Sequence, residues 1–209
     1  MNNKKLKIAI TGGIGTGKSA VARFYEKQGY TVISADDVAK DILSNDLSVK
    51  QQIIENFGKE SFKNEKPDFK YLANKVFAVS HNVEIINGIV HPPTIRKIKL
   101  MMDEALEKNN LVFVEAALIF EAKMEDLFDY IILITAERAK QIERVMERNK
   151  ISEEEIIKRM ENQLPENIKK AKSDFIIENN SSLEELENRA LFVLNLLKNI
   201  AGQTEKFSK

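Results

Sequence analysis

The sequence has no cysteine and no excess of charge of either sign, because 32 Lys and Arg residues balance 32 Asp and Glu residues. The first absence excludes disulfide bonds, thiolate metal sites and cysteine nucleophiles, and it fits a reducing compartment. The second means that no overall field attracts the chain to nucleic acid or to an anionic membrane. Any recognition of phosphate must therefore be local.

Long apolar runs are also missing. The longest candidate, residues 111–120, contains Glu115, whereas a membrane span needs roughly 18 apolar residues. The apolar stretch near the start is interrupted by Lys7 and ends at Gly12, which is too short for the core of a signal peptide. We therefore expect a soluble cytoplasmic protein with no membrane partner and no nucleic-acid partner.

Apolar segments of strand length alternate with helical segments along the 209 residues. Since there are no repeats and no long linkers, this length suits one domain over residues 1–209. Five strands, mostly parallel, are predicted at residues 6–11, 31–33, 111–114, 130–134 and 175–177.

A long and mainly helical stretch separates the second predicted strand from the third. Gly58, the segment 64–68 (NEKPD) and the segment 91–93 (HPP) each predict a break in it. A helix with apolar residues at helical spacing is predicted directly after the two prolines. Two capping boxes further along predict helix starts, at Ser152 with Glu155 and at Ser182 with Glu185.

Four of the eight glycines lie in one segment, residues 12–19 (GGIGTGKS). This segment fits the phosphate-loop pattern G-x-x-x-x-G-K-[ST], and it lies between a predicted strand and a helix predicted over residues 18–28. Glycines let backbone N–H groups converge on phosphate oxygens, the lysine reaches the β and γ phosphates, and the serine can bind Mg²⁺. The predicted ATP-binding residues are Gly13, Ile14, Gly15, Thr16, Gly17, Lys18, Ser19 and Ala20.

Other nucleotide-binding classes fit less well. The dinucleotide fingerprint G-x-G-x-x-G needs a glycine where Lys18 stands. The guanine-reading N-K-x-D element and the D-x-x-G switch of GTPases are missing. Motor and remodelling ATPases usually need a longer chain and a strand ending in Asp-Glu, whereas segment 111–114 ends in Glu115-Ala116. A small-molecule kinase is the best fit.

Such a kinase needs a base for the acceptor hydroxyl. Asp36 and Asp37 follow the second predicted strand directly, and the carboxyl end of a strand beside the phosphate-loop strand faces the γ-phosphate. We predict Asp36 as the base. The alternative is that one of the pair only caps a helix over residues 38–43.

A kinase also needs cations around the transferred group. Lys140, Arg144 and Arg148 recur every fourth residue and form one row on a predicted helix. Glu143 and Glu147 lie in the neighbouring row, so an exposed face with weak ion pairs is an open alternative. The position after the fourth strand favours a mobile basic lid over the nucleotide.

With these elements in place, the sequence resembles the dephospho-coenzyme A kinase family over residues 8–194. The resemblance rests on motifs in a family-specific order, which are TGGIGTGKS (11–19), VISAD (32–36), HP (91–92), ALIFE (117–121), QIERVMER (141–148), RMENQ (159–163) and KSDFIIEN (172–179). The chain departs from the usual family pattern at three positions, where it has Ser34, Phe69 and Ala117.

The resemblance implies a three-layer α/β/α P-loop kinase fold with a five-stranded parallel sheet. It also implies a helical substrate-binding insertion at about residues 62–109 and a lid at about 137–155. The implied reaction moves the ATP γ-phosphoryl group to the ribose 3′-hydroxyl of dephospho-CoA with Mg²⁺. ATP and dephospho-CoA are the partners of this activity, and we expect a monomer or a weak homo-oligomer.

The resemblance also implies roles for individual residues. Asp36 matches the base, Arg144 and Arg148 match the lid arginines, and residues 13–19 match the ATP loop. Two further matches are His91 on the substrate side and Asn179 near the adenine. Taken alone, a histidine such as His91 before a proline is more often a structural residue, and Asn179 with Asn180 is typical of a turn.

Two other functions remain open on the sequence. Another P-loop kinase, acting on a nucleoside, a nucleoside monophosphate or a shikimate-like alcohol, would share the loop and the lid but differ in the insertion. A nucleotide-binding module without catalysis would not need the carboxylate of Asp36, so that residue argues against it.

Overall fold

A parallel sheet forms the centre of the fold. The computed structural model of the chain describes residues 4–202. The strands of the sheet are β1 (Leu6–Gly12), β2 (Thr31–Ser34), β5 (Leu111–Glu115), β6 (Tyr130–Thr135) and β7 (Phe175–Glu178), and a separate antiparallel hairpin contains β3 (Phe62–Lys63) and β4 (Lys66–Pro67). The five sheet strands pair in the order β2-β5-β1-β6-β7, all parallel, which confirms the prediction of an α/β fold with five mainly parallel strands.

The helices occupy the connections between these strands. In chain order they are α1 (Lys18–Lys27), α2 (Ala35–Asn45), α3 (Leu47–Phe57), α4 (Phe69–Ala78), α5 (Ser80–Lys108), α6 (Arg138–Asn149), α7 (Glu153–Glu161), α8 (Glu166–Ala171) and α9 (Leu183–Ile200). Both predicted capping boxes begin a helix, because the hydroxyl of Ser152 accepts from Glu155 N at the start of α7 and that of Ser182 accepts from Glu185 N at the start of α9. No helix in residues 4–202 is long and apolar enough to cross a bilayer.

The chain divides into two compact units, and the second consists of residues 35–100. The first unit contains the parallel sheet, with α1 and α9 packed on it. Its core includes Tyr25, which is fully buried against Phe113 at a ring distance of 4.5 Å. Burial raises the pKa of Tyr25 far above its ordinary value, and its hydroxyl donates to Ala190 O at 3.1 Å. Helix α1 near the N-terminus and helix α9 near the C-terminus therefore share the core of the first unit.

The second unit has its own apolar core and consists mainly of helices. Asp46 and Asp68 cap α3 and α4 through bonds from the first-turn N–H groups. The predicted insertion of about residues 62–109 overlaps this unit but has different bounds, since the unit already begins at Ala35 and ends within α5. Its buried residues are Leu43, Val49, Ile53, Phe57, Leu72, Val76 and Ile89.

The predicted helix break at segment 91–93 is wrong, because α5 runs without interruption through Pro92 and Pro93. A proline inside a helix removes a hydrogen bond and costs about 3 kcal/mol. Here Ile89 and Ile98 are buried on either side of the prolines, and each such side chain contributes roughly 1.5–3 kcal/mol. The hydroxyl of Thr94 also donates to Val90 O at 2.8 Å. Packing on both sides therefore offsets the local cost.

Candidate functional site

The glycine-rich segment forms a tight loop between β1 and α1. Gly15 and Gly17 have left-handed backbones, with φ of 76° and 97°, which glycine adopts without strain. Space is also restricted, because a Cβ on Gly15 would lie 2.4 Å from Gln141 O and one on Gly17 would lie 2.3 Å from Asn179 Nδ2. These two glycines are therefore required by both conformation and packing.

The loop is closed by bonds to one carbonyl. Gly13 O accepts from Thr16 Oγ1 at 2.9 Å and from Lys18 Nζ at 3.1 Å. Lys18 stands at the first position of α1, where the helix dipole adds partial positive charge. Ala20 N–H donates back to Gly17 O at 3.0 Å in the first turn. The ammonium group and the helix N-terminus thus lie at the same place, which favours an anion.

A carboxylate that the sequence analysis did not select stands beside the loop. Glu115 ends β5 opposite Ile10 of β1, and its Oε1 accepts from Ser19 Oγ at 2.9 Å. The sequence carried a signal for it, namely an acidic residue at the end of a buried strand. On the sequence, the same residue argues only against motor and remodelling ATPases. The structure therefore places a carboxylate oxygen next to the hydroxyl that is predicted to bind Mg²⁺.

Asn179 connects the loop with the last strand. Its side chain is 8% exposed, and its Nδ2 donates to Thr16 O at 2.8 Å while its own N–H donates to Thr135 O at 2.8 Å. Arg144 Nη2 donates to Asn179 O at 3.0 Å. Asn180 lies in a bend just after β7, and Asn179 supports the phosphate loop through its bond to Thr16 O.

The basic row lies on α6, as predicted. Lys140 donates to Asn180 O, Arg144 contacts Asn179, and Arg148 is exposed and bonds to the neighbouring Asn149 Oδ1 at 2.8 Å. The Nη1 atom of Arg144 is buried and has no hydrogen-bond partner among residues 4–202. The row therefore differs from a face held only by ion pairs, because Lys140 and Arg144 bond to the 179–180 turn beside the loop.

Asp36 and His91 belong to the second unit. Asp36 is exposed in the first turn of α2, two residues after Ser34, the last residue of β2. Its neighbour Asp37 forms an exposed ion pair with Lys40 at 3.0 Å. Both carboxylates lie inside α2, which begins at Ala35, so the predicted helix start at residue 38 is wrong. Negative charge in a first turn still stabilises the helix through its dipole.

His91 is half-buried in α5, and this burial lowers the pKa of its imidazole. The unfolded chain binds a proton there at the ordinary pKa of about 6.5, so below that pH the unfolded state takes up more protons than the folded one. We expect the free energy of unfolding in urea to fall between pH 7.5 and 5.5. His91→Gln should reduce this fall, because it removes the imidazole whose pKa burial lowers. Equal pH profiles for the wild type and His91→Gln would contradict the assignment.

The parallel sheet, with a phosphate loop after its first strand and a basic helix after β6, defines the chain as a P-loop kinase. Within that class, a protein-family model described as "Dephospho-CoA kinase" matches residues 6–185. The chain therefore belongs to the dephospho-CoA kinase family, and it is an enzyme.

Individual relatives agree with this family. The dephospho-CoA kinase of Fusobacterium nucleatum is 36% identical over 180 residues, which are 86% of this chain and 92% of that protein. The solved dephospho-CoA kinase from Campylobacter jejuni is 28% identical with a TM-score of 0.71, covering 92% of this chain and 97% of that one. The crystal structure of TT1252 from Thermus thermophilus is 32% identical with a TM-score of 0.79, covering 93% and 98%.

Proposed function

We propose that the chain transfers the γ-phosphoryl group of ATP to the ribose 3′-hydroxyl of dephospho-CoA, giving CoA and ADP. The observation that carries this proposal is the phosphate loop, in which Lys18 Nζ donates to Gly13 O and Ser19 Oγ donates to Glu115 Oε1. The loop lies within a chain that matches the family over residues 6–185. In the step, the hydroxyl oxygen bonds to the γ-phosphorus, the bond to the ADP oxygen breaks, and the hydroxyl proton moves to a base.

The loop residues 13–20 would bind the ATP phosphates. Ile14 N–H is bonded to Gln163 and Ala20 N–H to Gly17 O, so other backbone N–H groups of the loop and of the first turn of α1 supply the donors. Lys18 supplies a charge for the β and γ phosphates. Asn179 would lie at the adenine, although its side-chain Nδ2 is occupied by Thr16 O. Its contribution to adenine binding would therefore come through Oδ1 or through the shape of the turn.

The residues beside the loop fit a magnesium ion. Mg²⁺ in kinases is held by one or two protein oxygens together with substrate phosphates and water, and Ser19 Oγ and Glu115 Oε1, 2.9 Å apart, are such oxygens. Within residues 4–202 no group of three or more acidic, Cys or His side chains is placed to hold a metal. When bound, Mg²⁺ would neutralise phosphate charge.

Asp36 would accept the proton of the 3′-hydroxyl, and His91 would contact the acceptor. The region of about residues 62–109 would bind dephospho-CoA, and the segment 137–155, which contains α6, would close over ATP and exclude water. Arg144 and Arg148 would then offset charge on the transferred group. A cytoplasmic location and a monomeric or weakly associated state stay predictions.

The acceptor can be tested with a coupled assay of ADP release. Purified protein would receive ATP, Mg²⁺ and one of four acceptors, namely dephospho-CoA, shikimate, a nucleoside or a nucleoside monophosphate. We expect release only with dephospho-CoA, and a product that co-elutes with authentic CoA. Release with a different acceptor alone would contradict the proposal, and ATP binding without turnover on any acceptor would favour a binding module.

Arg144→Ala should lower kcat by about a hundredfold, because the variant loses one cation aimed at the developing charge. Its buried and unpartnered Nη1 supplies a donor that no other described group uses. The matched control is Arg23→Ala on the exposed side of α1, which should leave kcat unchanged. Single-turnover rates at saturating ATP would measure the effect, and a rate within threefold of wild type would remove Arg144 from the proposed mechanism.

A further inference from the structure

A glutamine far from the loop in sequence bonds to the loop backbone. Gln163 follows α7, and its Oε1 accepts from Ile14 N–H at 3.0 Å. The same oxygen would lie 3.6 Å from a Cβ placed on Gly13, and Gln141 Oε1 would lie 3.3 Å from it. Two side-chain carbonyl oxygens thus flank the first half of the loop, and one of them holds a backbone amide.

The backbone directly after Gln163 is held by an ion pair between Glu121 and Lys169. Leu164 N–H donates to Glu121 Oε1 at 2.9 Å, and Lys169 Nζ lies 3.0 Å from the same oxygen. The side chain of Lys169 is 2% exposed and that of Glu121 is 19% exposed. A pair buried to this degree tolerates little movement, because separating it would leave an uncompensated charge. The connection between α7 and α8 is therefore anchored directly after Gln163.

The loop is rich in glycine, and the bonds at Gly13 O and Thr16 O leave the amide of Ile14 to be held by Gln163. Gly12, Gly15 and Gly17 all have positive φ, and glycine loses more conformational freedom on ordering than any other residue. Ordering a loop during binding lowers affinity, whereas a loop already held in its bound shape avoids that loss. A hydrogen bond from outside the loop to Ile14 is such a restraint.

We propose that Gln163 is a positioning residue that holds the Ile14 end of the phosphate loop in its binding shape and so raises the affinity for ATP. The proposal rests on the proposed function in one respect, namely that ATP is the ligand of the loop. In this proposal the Glu121–Lys169 ion pair holds the backbone next to Gln163 in place. It predicts an effect on ATP binding and not on acceptor binding.

The test uses Gln163→Met, which keeps the length of the side chain but has no strong acceptor. We expect the dissociation constant for ATP, measured by calorimetry without acceptor, to rise about three- to tenfold, as for loss of one neutral hydrogen bond. Hydrogen exchange at the Ile14 amide without nucleotide should become faster. The KM for ATP should rise, with kcat and the KM for dephospho-CoA within twofold of wild type. Asn162→Ala, at the exposed neighbouring residue, should change none of these.

A second variant separates positioning from a general loss of structure. Gln163→Glu keeps an acceptor at the same length, so it should restore slow exchange at the Ile14 amide. If Gln163→Met folds, an unchanged affinity for ATP would overturn the proposal. If Gln163→Met does not fold, fast hydrogen exchange at the Ile14 amide in Gln163→Glu would overturn it. Binding is measured without acceptor, so a wild type that binds ATP but does not phosphorylate dephospho-CoA would contradict the proposed function alone.

Discussion

Lys18→Ala is expected to lower kcat by about a thousandfold. In direct phosphoryl transfer the protein forms no covalent bond to the substrates, so catalysis consists mainly of positioning them and of stabilising charge on the phosphoryl oxygens. Removing one preorganised donor from such a site typically costs about a hundred- to a thousandfold in kcat. Lys18 combines a full charge with the N-terminus of α1, which supports the upper end of that range.

The measurement is ADP release at saturating ATP and dephospho-CoA. The loop should keep its shape in the variant, because Gly13 O also accepts from Thr16 Oγ1 at 2.9 Å. Lys27→Ala, at the exposed opposite end of the same helix, is the matched control and should retain full turnover. If Lys18→Ala turned over within tenfold of the control, the main charge at the γ-phosphate would have to come from a different residue.

The phosphate loop could be predicted because its requirements are local. The sequence 12–19 contains the glycines, the lysine and the serine, and the flanking apolar run and helix fix the direction in which the amides point. The strands were predictable for a similar reason, since buried parallel strands consist of short continuous apolar runs. These features depend on neighbours in the chain and not on the tertiary fold.

The partners of the loop could not be predicted, because they are distant in the sequence. Gln163 and Ile14 are 149 residues apart, and Ser19 and Glu115 are 96 apart. A glutamine after a helix or a glutamate at the end of a strand is common in proteins, so neither residue type by itself predicts a contact with the loop. The strand order places β5 beside β1 and so brings Glu115 to the loop. The connection from β6 to β7, which contains α7, brings Gln163 there.

Two predictions that rest on neighbouring residues alone are wrong, namely the helix break at residues 91–93 and the helix start at residue 38. The two prolines predicted a helix start, yet α5 continues because Ile89 and Ile98 are buried on both sides of them. The two aspartates were candidates for a helix cap, yet α2 begins at Ala35 and includes them. Propensity and capping rules state a cost or a preference of a few kcal/mol at most, and burial of several apolar side chains exceeds it.

The position of Asp36 within α2 is relevant to its chemistry. A carboxylate that serves as a cap is already bonded to backbone N–H groups and makes a poor proton acceptor for a substrate. Asp36 lies in the first turn, and its side chain is exposed, while the neighbouring Asp37 is the one paired with Lys40. This difference supports the proposal that Asp36, and not Asp37, is the base.

Asp36→Asn is accordingly expected to lower kcat by about a thousandfold, in the middle of the range for loss of a general base. Asparagine keeps the size and the hydrogen-bonding oxygen but cannot accept the proton, so the KM for ATP should change less than twofold. Asp37→Asn removes the same charge one residue away and should reduce kcat by no more than twofold, which separates proton transfer from a change in the local field. Measuring kcat and both KM values for the two variants decides the assignment. Equal losses in both would mean that the negative charge of the first turn matters and that the proton moves elsewhere.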